Sequence, residues 1–372
     1  MNKQELNPED FHMPAEWETH EGTWLQWPHD NQWPGYQLKL EKVWLQMVDA
    51  LHKHENVHII AQDERRREHI ERQLKFFGIG LKNIDFHIIP TNDIWARDNG
   101  PIFVVNKEGK LALVNWKFNG WGGRYDYGMD NQIPLKISKE LSIPAFSPSM
   151  VLEGGAVEIN GKGTLIATRS SIINPNRNSG KTQKDIEEII SKYLGIKRII
   201  WLTGAKTDDP SIGWIDDTDT HIDTVARFVN ESTLLYAWAE DKTEPRYSIL
   251  KKHYEELQNA TTESEKHLTL VSLPLPRGGV YSTSNIGGGG GIMKSSAQVY
   301  TDATYTNYFV ANGVVLVPSF GNVNDDRAKK IIGEQFSDRE IIGIDCVALA
   351  ENGGELHCVT QQQPWHVNLE DI

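Results

Sequence analysis

The residues of this chain that could do chemistry lie in four short segments, far apart in sequence. The last reads Asn352-Gly353-Gly354-Glu355-Leu356-His357-Cys358-Val359-Thr360-Gln361-Gln362-Gln363-Pro364. Glycine lets backbone approach a ligand closely or take a positive φ, so a thiol just beyond a glycine pair can be offered to a pocket. A lone cysteine acts as a nucleophile only where a base and a binding site accompany it. Asp216-Asp217-Thr218-Asp219-Thr220-His221-Ile222-Asp223 feeds into an apolar run at Val225. In extended chain His221 and Asp223 point to one face, and an imidazole beside a carboxylate is poised for proton transfer near neutral pH. Asn92-Asp93-Ile94-Trp95-Ala96-Arg97-Asp98-Asn99-Gly100-Pro101 is charged and turn-rich, and Leu152-Glu153-Gly154-Gly155 sets an acid before a glycine pair.

Taken singly, each segment has an ordinary structural reading. Arg97 and Asp98 read as a turn ion pair, Glu153 as a surface acid or turn acceptor. The acidic run from Asp216 lacks the glycine and distal glutamate of an EF-hand loop. Neither His357 nor Cys358 has the companions that a zinc motif requires. Calcium and zinc are therefore not expected at these segments. The other cysteine, Cys346, sits in the apolar run 341–349 and reads as a small core hydrophobe in a buried strand. The four polar segments together favour a site.

The elements that must position these residues alternate between two periods. Apolar residues Leu40, Val43, Trp44, Met47, Val48 and Leu51 recur at helical spacing and predict a helix over 38–54. A second helix is expected over 64–77, with Ile70, Leu74 and Phe77 on one side, and others over 182–194, 247–257 and 325–336. Strands are expected at 57–61, 84–89, 198–202, 225–229, 233–238, 267–273, 305–311, 314–318 and 341–349. Hairpins are expected for 100–105 with 110–118 and for 155–159 with 164–168. Repeated strand, hairpin and helix units without a linker suggest one domain built from similar modules. The glycine run at 287–291 lacks the spacing of a phosphate loop and reads as a mobile loop.

Composition bounds the partners. The chain has 372 residues, 39% hydrophobic, with twelve tryptophans and two cysteines, as expected of a folded globular protein in a reducing cytoplasm. No apolar run is long enough to span a bilayer, and the N-terminal residues lack the apolar core of a secretion signal. The formal net charge of −13 disfavours nucleic acid and anionic membrane.

The polar segments, with Met13-Pro14-Ala15-Glu16-Trp17-Glu18 and Phe118-Asn119-Gly120-Trp121-Gly122-Gly123, resemble the agmatine deiminase family of the guanidine-modifying pentein superfamily, which includes bacterial peptidylarginine deiminase-like proteins. The matching pieces run in family order over nearly the whole chain. The resemblance implies an α/β fold, a single-domain propeller (residues 1–372) of five ββαβ modules around a pseudo-fivefold axis. It implies that Cys358 attacks a guanidinium carbon, that Asp98 and Asp223 grip the guanidinium nitrogens, and that His221 moves the protons with Glu153 in support. Trp95, Trp121 and Asp217 would line the substrate's path, Asp217 where agmatine-specific members carry an acid near the amine. Asp217 reads equally as a solvated loop acid. The implied reaction converts a small cationic guanidine, agmatine first, to a ureido product plus ammonia, without metal or organic cofactor. Free or peptidyl arginine is the alternative substrate, and a non-catalytic binder of a cationic ligand is the alternative of another class. A homodimer is compatible with the family. Two stretches depart from its usual pattern: the acidic run before His221 and the segment reading Tyr300-Thr301-Asp302-Ala303-Thr304-Tyr305-Thr306-Asn307.

Overall fold

The computed structural model describes residues 6–29, 37–205, 214, 216–282 and 299–367. Five sheets share one plan: an antiparallel strand pair, a helix, then a strand returning parallel to the second of the pair. Ile102–Asn106 and Leu111–Val114 form one pair, and Ala145–Phe146 returns parallel after the helix Ile133–Glu140. Glu158–Ile159 and Thr164–Thr168 are joined by Arg198–Leu202, and Ala226–Phe228 and Thr233–Trp238 by Thr269–Pro274. Phe309–Ala311 and Val314–Ser319 are joined by Glu340–Asp345. In the fifth of these sheets the two ends of the chain meet. Thr360–Pro364 runs antiparallel to His20–Gln26, which is followed in parallel by Asn56–Ala61 and Ile84–Ile88. The segment just after Cys358 is thereby tied to the N-terminal strand.

The helices form where the apolar spacing places them. Gln37–Leu51 buries Leu40, Val43, Trp44, Met47, Val48 and Leu51, the stripe read from sequence. Gln183–Leu194 buries Ile186, Ile190 and Leu194 at four-residue intervals. It starts at a capping box of Thr182 and Asp185 and stops at Gly195, whose φ is +70°. The largest apolar cluster joins this first helix, the strand Val314–Ser319 and Leu356, Cys358 and Val359. Cys358 is thus held by core packing on one side.

Several expected boundaries shift. The helix over 64–77 ends at Phe76, and Phe77 is 57% exposed rather than packed on its apolar side. The strand expected through 349 stops at Asp345. Cys346 is fully buried, as expected, but precedes the helical turn Val347–Ala350. The hairpin expected from Gly155 starts only at Glu158, because Gly154–Ala156 turns as a 3-10 helix. The strand expected over 305–311 starts at Phe309. The glycine run at 287–291 lies outside the described residues. Among those described, no helix is long and apolar enough to cross a membrane.

Candidate active site

Cys358 lies in the turn between Glu355 and the strand Thr360–Pro364. Asn307 fixes that turn: its Oδ1 accepts from the backbone N–H groups of His357 (3.0 Å) and Cys358 (3.2 Å), and its Nδ2 donates to Sγ at 3.2 Å. The Cys358 carbonyl accepts from the Arg97 N–H at 3.1 Å, which brings in the helical turn Ala96–Asn99 and with it Asp98. A Cβ at Gly354 would sit 2.6 Å from the Trp95 ring and 3.1 Å from Sγ. A side chain there would close the space beside the thiol.

Asp98 is held by the Gly155 N–H on Oδ1 (3.0 Å) and by the Trp121 indole N–H on Oδ2 (2.9 Å). Trp121 donates from a left-handed conformation (φ +53°), which is rare for a bulky residue. A Cβ on Gly155 would lie 2.6 Å from His221 Nδ1, 2.8 Å from Asp98 Oδ1 and 3.1 Å from Asp223 Oδ2. These three side chains therefore converge over one glycine.

His221 caps a 3-10 turn, Ile222–Thr224, and Asp223 lies within it, rather than both lying in extended chain. They still face the same cluster because Asp219 and Thr220, both at positive φ, swing the chain round just before His221. His221 Nε2 is 3.3 Å from Glu153 Oε2 and Nδ1 is 3.6 Å from Asp98 Oδ1. Burial alone would lower the imidazole pKa, but Asp98, Glu153 and Asp223 outweigh it and raise it to about 9. Glu153 is buried as well, which would raise its pKa, yet the Arg177 guanidinium at 2.9 Å and His221 hold it below its ordinary value.

The sulfur lies 3.8 Å from Asp223 Oδ2. That same oxygen accepts from His357 Nδ1 at 2.7 Å, while Asp223 Oδ1 is buried with no partner among the described residues. Burial, together with Asp223, Asp98 and Glu355, pushes the Cys358 thiol well above its ordinary pKa. The resting group is a thiol, in a cluster whose His221 imidazole is held protonated. A cation entering among these acids would reverse that balance and favour thiolate.

The expected residues fare differently. Cys358, Asp98, His221, Glu153 and Asp223 meet in one cluster, with Trp95 and Trp121 buried against it. Arg97 does not pair with Asp98. It turns away to Glu16 (3.3 Å) and to the Gln362 side chain (2.7 Å). Asp217 stands further off, half-buried, its Oδ2 accepting from the Tyr125 hydroxyl at 2.5 Å. It reaches the cluster through Tyr125 and Trp121, whose rings are 5.7 Å apart.

Other residues went unassigned from sequence. His357 is held between Asp223 and Glu16 (2.8 Å), and Glu16 also pairs with Arg227 at 2.8 Å. Arg177 bridges Glu153 and Asp219. Asp302 and Glu355 add buried acids. Burial and Asp216 push Asp302 up to about 8, while burial and Asp302 raise Glu355 well above its ordinary value. Glu16 lies in the stretch 13–18, but nothing local says that it reaches a residue 341 positions away.

The chain is similar to known proteins over nearly its whole length. The chain is 33% identical over 387 aligned residues to the agmatine deiminase of Medicago truncatula, covering 95% of this chain and 96% of that protein. The structure of Enterococcus faecalis agmatine deiminase matches with a TM-score of 0.86 at 27% identity, covering 97% of this chain and 98% of that one. A cysteine-to-serine variant of C. jejuni agmatine deiminase with substrate bound matches with a TM-score of 0.81 at 27% identity, covering 96% and 97%. The profile of the Porphyromonas-type peptidyl-arginine deiminase family matches residues 12–364, from the first described strand to the last, and the chain belongs to that family.

Proposed function

We propose that this chain is a hydrolase that deiminates a free guanidine, agmatine before others, giving N-carbamoylputrescine and ammonia. The observation that carries the reading is the meeting of Cys358, Asp98, His221 and Asp223 in one buried cluster, with the sulfur 3.8 Å from a carboxylate oxygen. A planar cation with forked N–H donors suits carboxylates that accept in its plane. Asp223 Oδ1, buried and unpartnered among the described residues, is such an acceptor, and Asp98 is the second.

In this reading the bound guanidinium supplies the positive charge that lets the thiol ionise, its proton leaving to solvent. The thiolate adds to the guanidinium carbon, and holding the carbon beside the sulfur contributes several kcal/mol of orientation. His221, already protonated, gives its proton to one amino group, and the C–N bond breaks to release ammonia. A cationic S-linked thiouronium remains. His221 then takes a proton from water as the oxygen adds to that carbon. The C–S bond breaks, the thiolate returns, and the product's hydroxyl proton passes to ammonia as the ureido carbonyl forms. Glu153, braced by Arg177, keeps the imidazole oriented through both proton transfers. The cysteine-to-serine variant of the C. jejuni enzyme with substrate bound supports a nucleophilic role for Cys358.

Trp95 and Trp121 supply flat walls for the guanidinium and its chain, and Asp217 an acid for the far amine. The reading includes a single domain whose five like sheets close as a pseudo-fivefold propeller, a cytoplasmic setting suited to two buried free cysteines, a homodimeric assembly, and no nucleic-acid partner for a chain of charge −13.

Ammonia release from agmatine, arginine and an arginine-containing peptide tests the reading. Turnover is expected with agmatine foremost. Preference for the peptide would replace the substrate while keeping the chemistry, and failure with every guanidine would leave only a cation-binding protein.

A further inference from the structure

Away from the catalytic cluster, His58, Asp85 and His87 gather on one face of the N-terminal sheet. His58 lies on Asn56–Ala61, and Asp85 is its register partner on Ile84–Ile88. His87 follows Asp85 by two residues and so projects from the same face. One nitrogen or oxygen from each of the three lies within 4.8 Å of the others. His58 Nδ1 is 2.8 Å from Asp85 Oδ1, and His87 Nε2 is 3.6 Å from that oxygen.

We propose that these side chains bind one divalent transition-metal ion of the zinc class, through His58 Nδ1, His87 Nε2 and the Asp85 carboxylate.

The far nitrogen of each ring distinguishes this cluster from a simple ion-pair network. His58 Nε2 lies 2.8 Å from Glu21 Oε2, and His87 Nδ1 lies 2.5 Å from Glu140 Oε2. A metal-bound imidazole characteristically donates its other N–H to a carboxylate, which fixes the tautomer and makes the ligand nitrogen more basic. Both histidines carry that partner here. His87 Nε2 is moreover buried with no hydrogen-bond partner among the described residues. The Trp24 ring lies against both imidazoles, at 4.6 and 4.5 Å between centroids, and restrains their tilt.

The distances suit a small ion. Bonds of about 2.0–2.1 Å in a tetrahedral shell separate the ligand atoms by about 3.3–3.5 Å. The His87–Asp85 spacing is close to that value. The shorter His58–Asp85 contact opens by rotation of Asp85, whose side chain is 56% exposed and marks the way in from solvent. Two imidazoles and one carboxylate leave one position for water and disfavour magnesium and calcium, which take oxygen ligands. A bound ion would tie together the neighbouring strands Asn56–Ala61 and Ile84–Ile88 of the sheet whose far edge, Thr360–Pro364, follows Cys358 in the chain.

Calorimetric titration of the untagged full-length protein with Zn²⁺ tests this, run beside Cys358→Ser to separate any binding at the active-site thiol. One equivalent should bind in both. His87→Asn and Asp85→Asn should each weaken binding at least ~10-fold, and Glu140→Gln, which removes no ligand, by about 10-fold. Millimolar Mg²⁺ should not compete. Absence of uptake, uptake lost in Cys358→Ser, or an isotherm unchanged in folded His87→Asn would each overturn the proposal.

Discussion

Two histidines in this molecule are gripped alike, in opposite surroundings. His357 stands between Asp223 at 2.7 Å and Glu16 at 2.8 Å. His58 stands between Asp85 and Glu21, each at 2.8 Å. All three inner side chains are buried, whereas Glu21 and Asp85 are 21% and 56% exposed. The inner grip also continues outward: Glu16 accepts from Arg227, Arg97 and the Val310 N–H. Ions so placed cost several kcal/mol each to take out of water, and only close pairing offsets it. Water can replace a lost partner in the outer cluster but not in the inner one. The inner network therefore fixes Asp223 at one angle beside the sulfur, while the outer one stays free to exchange a proton or an ion.

The largest expected effect tests which grip serves the chemistry. Cys358→Ser should reduce turnover by at least ~10⁴-fold, the scale seen when a nucleophile is removed, with thermal unfolding unchanged. His58→Gln should leave turnover near that of the parent. A comparable loss from His58→Gln would show that the outer cluster is not independent of the site. Next comes stability. Glu16→Gln should cost about 3–5 kcal/mol, because it strands buried positive charge, and Glu21→Gln at most about 1 kcal/mol. Urea unfolding of the two variants compares them directly, and equal losses would end the distinction.

Sequence carried the inner cluster further than the outer one. Helical stripes such as Leu40 to Leu51 were legible because burial imposes the 3.6-residue period directly. Cys358, Asp98, His221, Glu153 and Asp223 were legible because the resemblance named each position. Glu16, His357 and Arg177 were not, since each acts through contacts between distant segments that no local pattern encodes. The same holds for the backbone at His221 and Asp223, read as extended chain. Asp219 and Thr220, both at positive φ, make a turn there, and they announce that backbone far less clearly than glycine would. His58, Asp85 and His87 lie in unremarkable strand sequence, and it is the parallel register that makes them neighbours.

A smaller effect follows from the acids around the thiol. Burial, Asp223, Asp98 and Glu355 hold Cys358 protonated in the resting site. An electrophile that brings its own positive charge should relieve this, as the substrate would. Alkylation by 2-chloroacetamidine should outpace that by neutral 2-chloroacetamide by at least ~10-fold beyond their intrinsic difference with a free thiol, about 1.4 kcal/mol. Asp98→Asn should narrow the gap. Equal rates would mean that the inner acids do not govern the sulfur, and the contrast with the solvent-relaxed outer cluster would lose its chemical meaning.

The smallest effect concerns the outer grip and depends on pH. Burial lowers the His58 pKa, but Asp85 and Glu21 outweigh it and raise it from 6.5 to about 9. Burial likewise raises Asp85, yet His58 and His87 hold it below its ordinary 3.8. A raised imidazole pKa contributes stability that is complete below 6.5 and disappears as pH rises through about 9. A depressed carboxyl contributes stability present above 3.8 and lost as pH falls below it. Without added metal, the gap in unfolding free energy between the parent and Asp85→Asn should therefore be widest between these limits, near pH 4–6.5, and should close towards pH 9. Screening at the half-exposed Asp85 keeps it to about 1 kcal/mol or less. A gap that persists undiminished at high pH would show that the pairing does not depend on a protonated His58, and the outer cluster would then be as rigid electrostatically as the inner one.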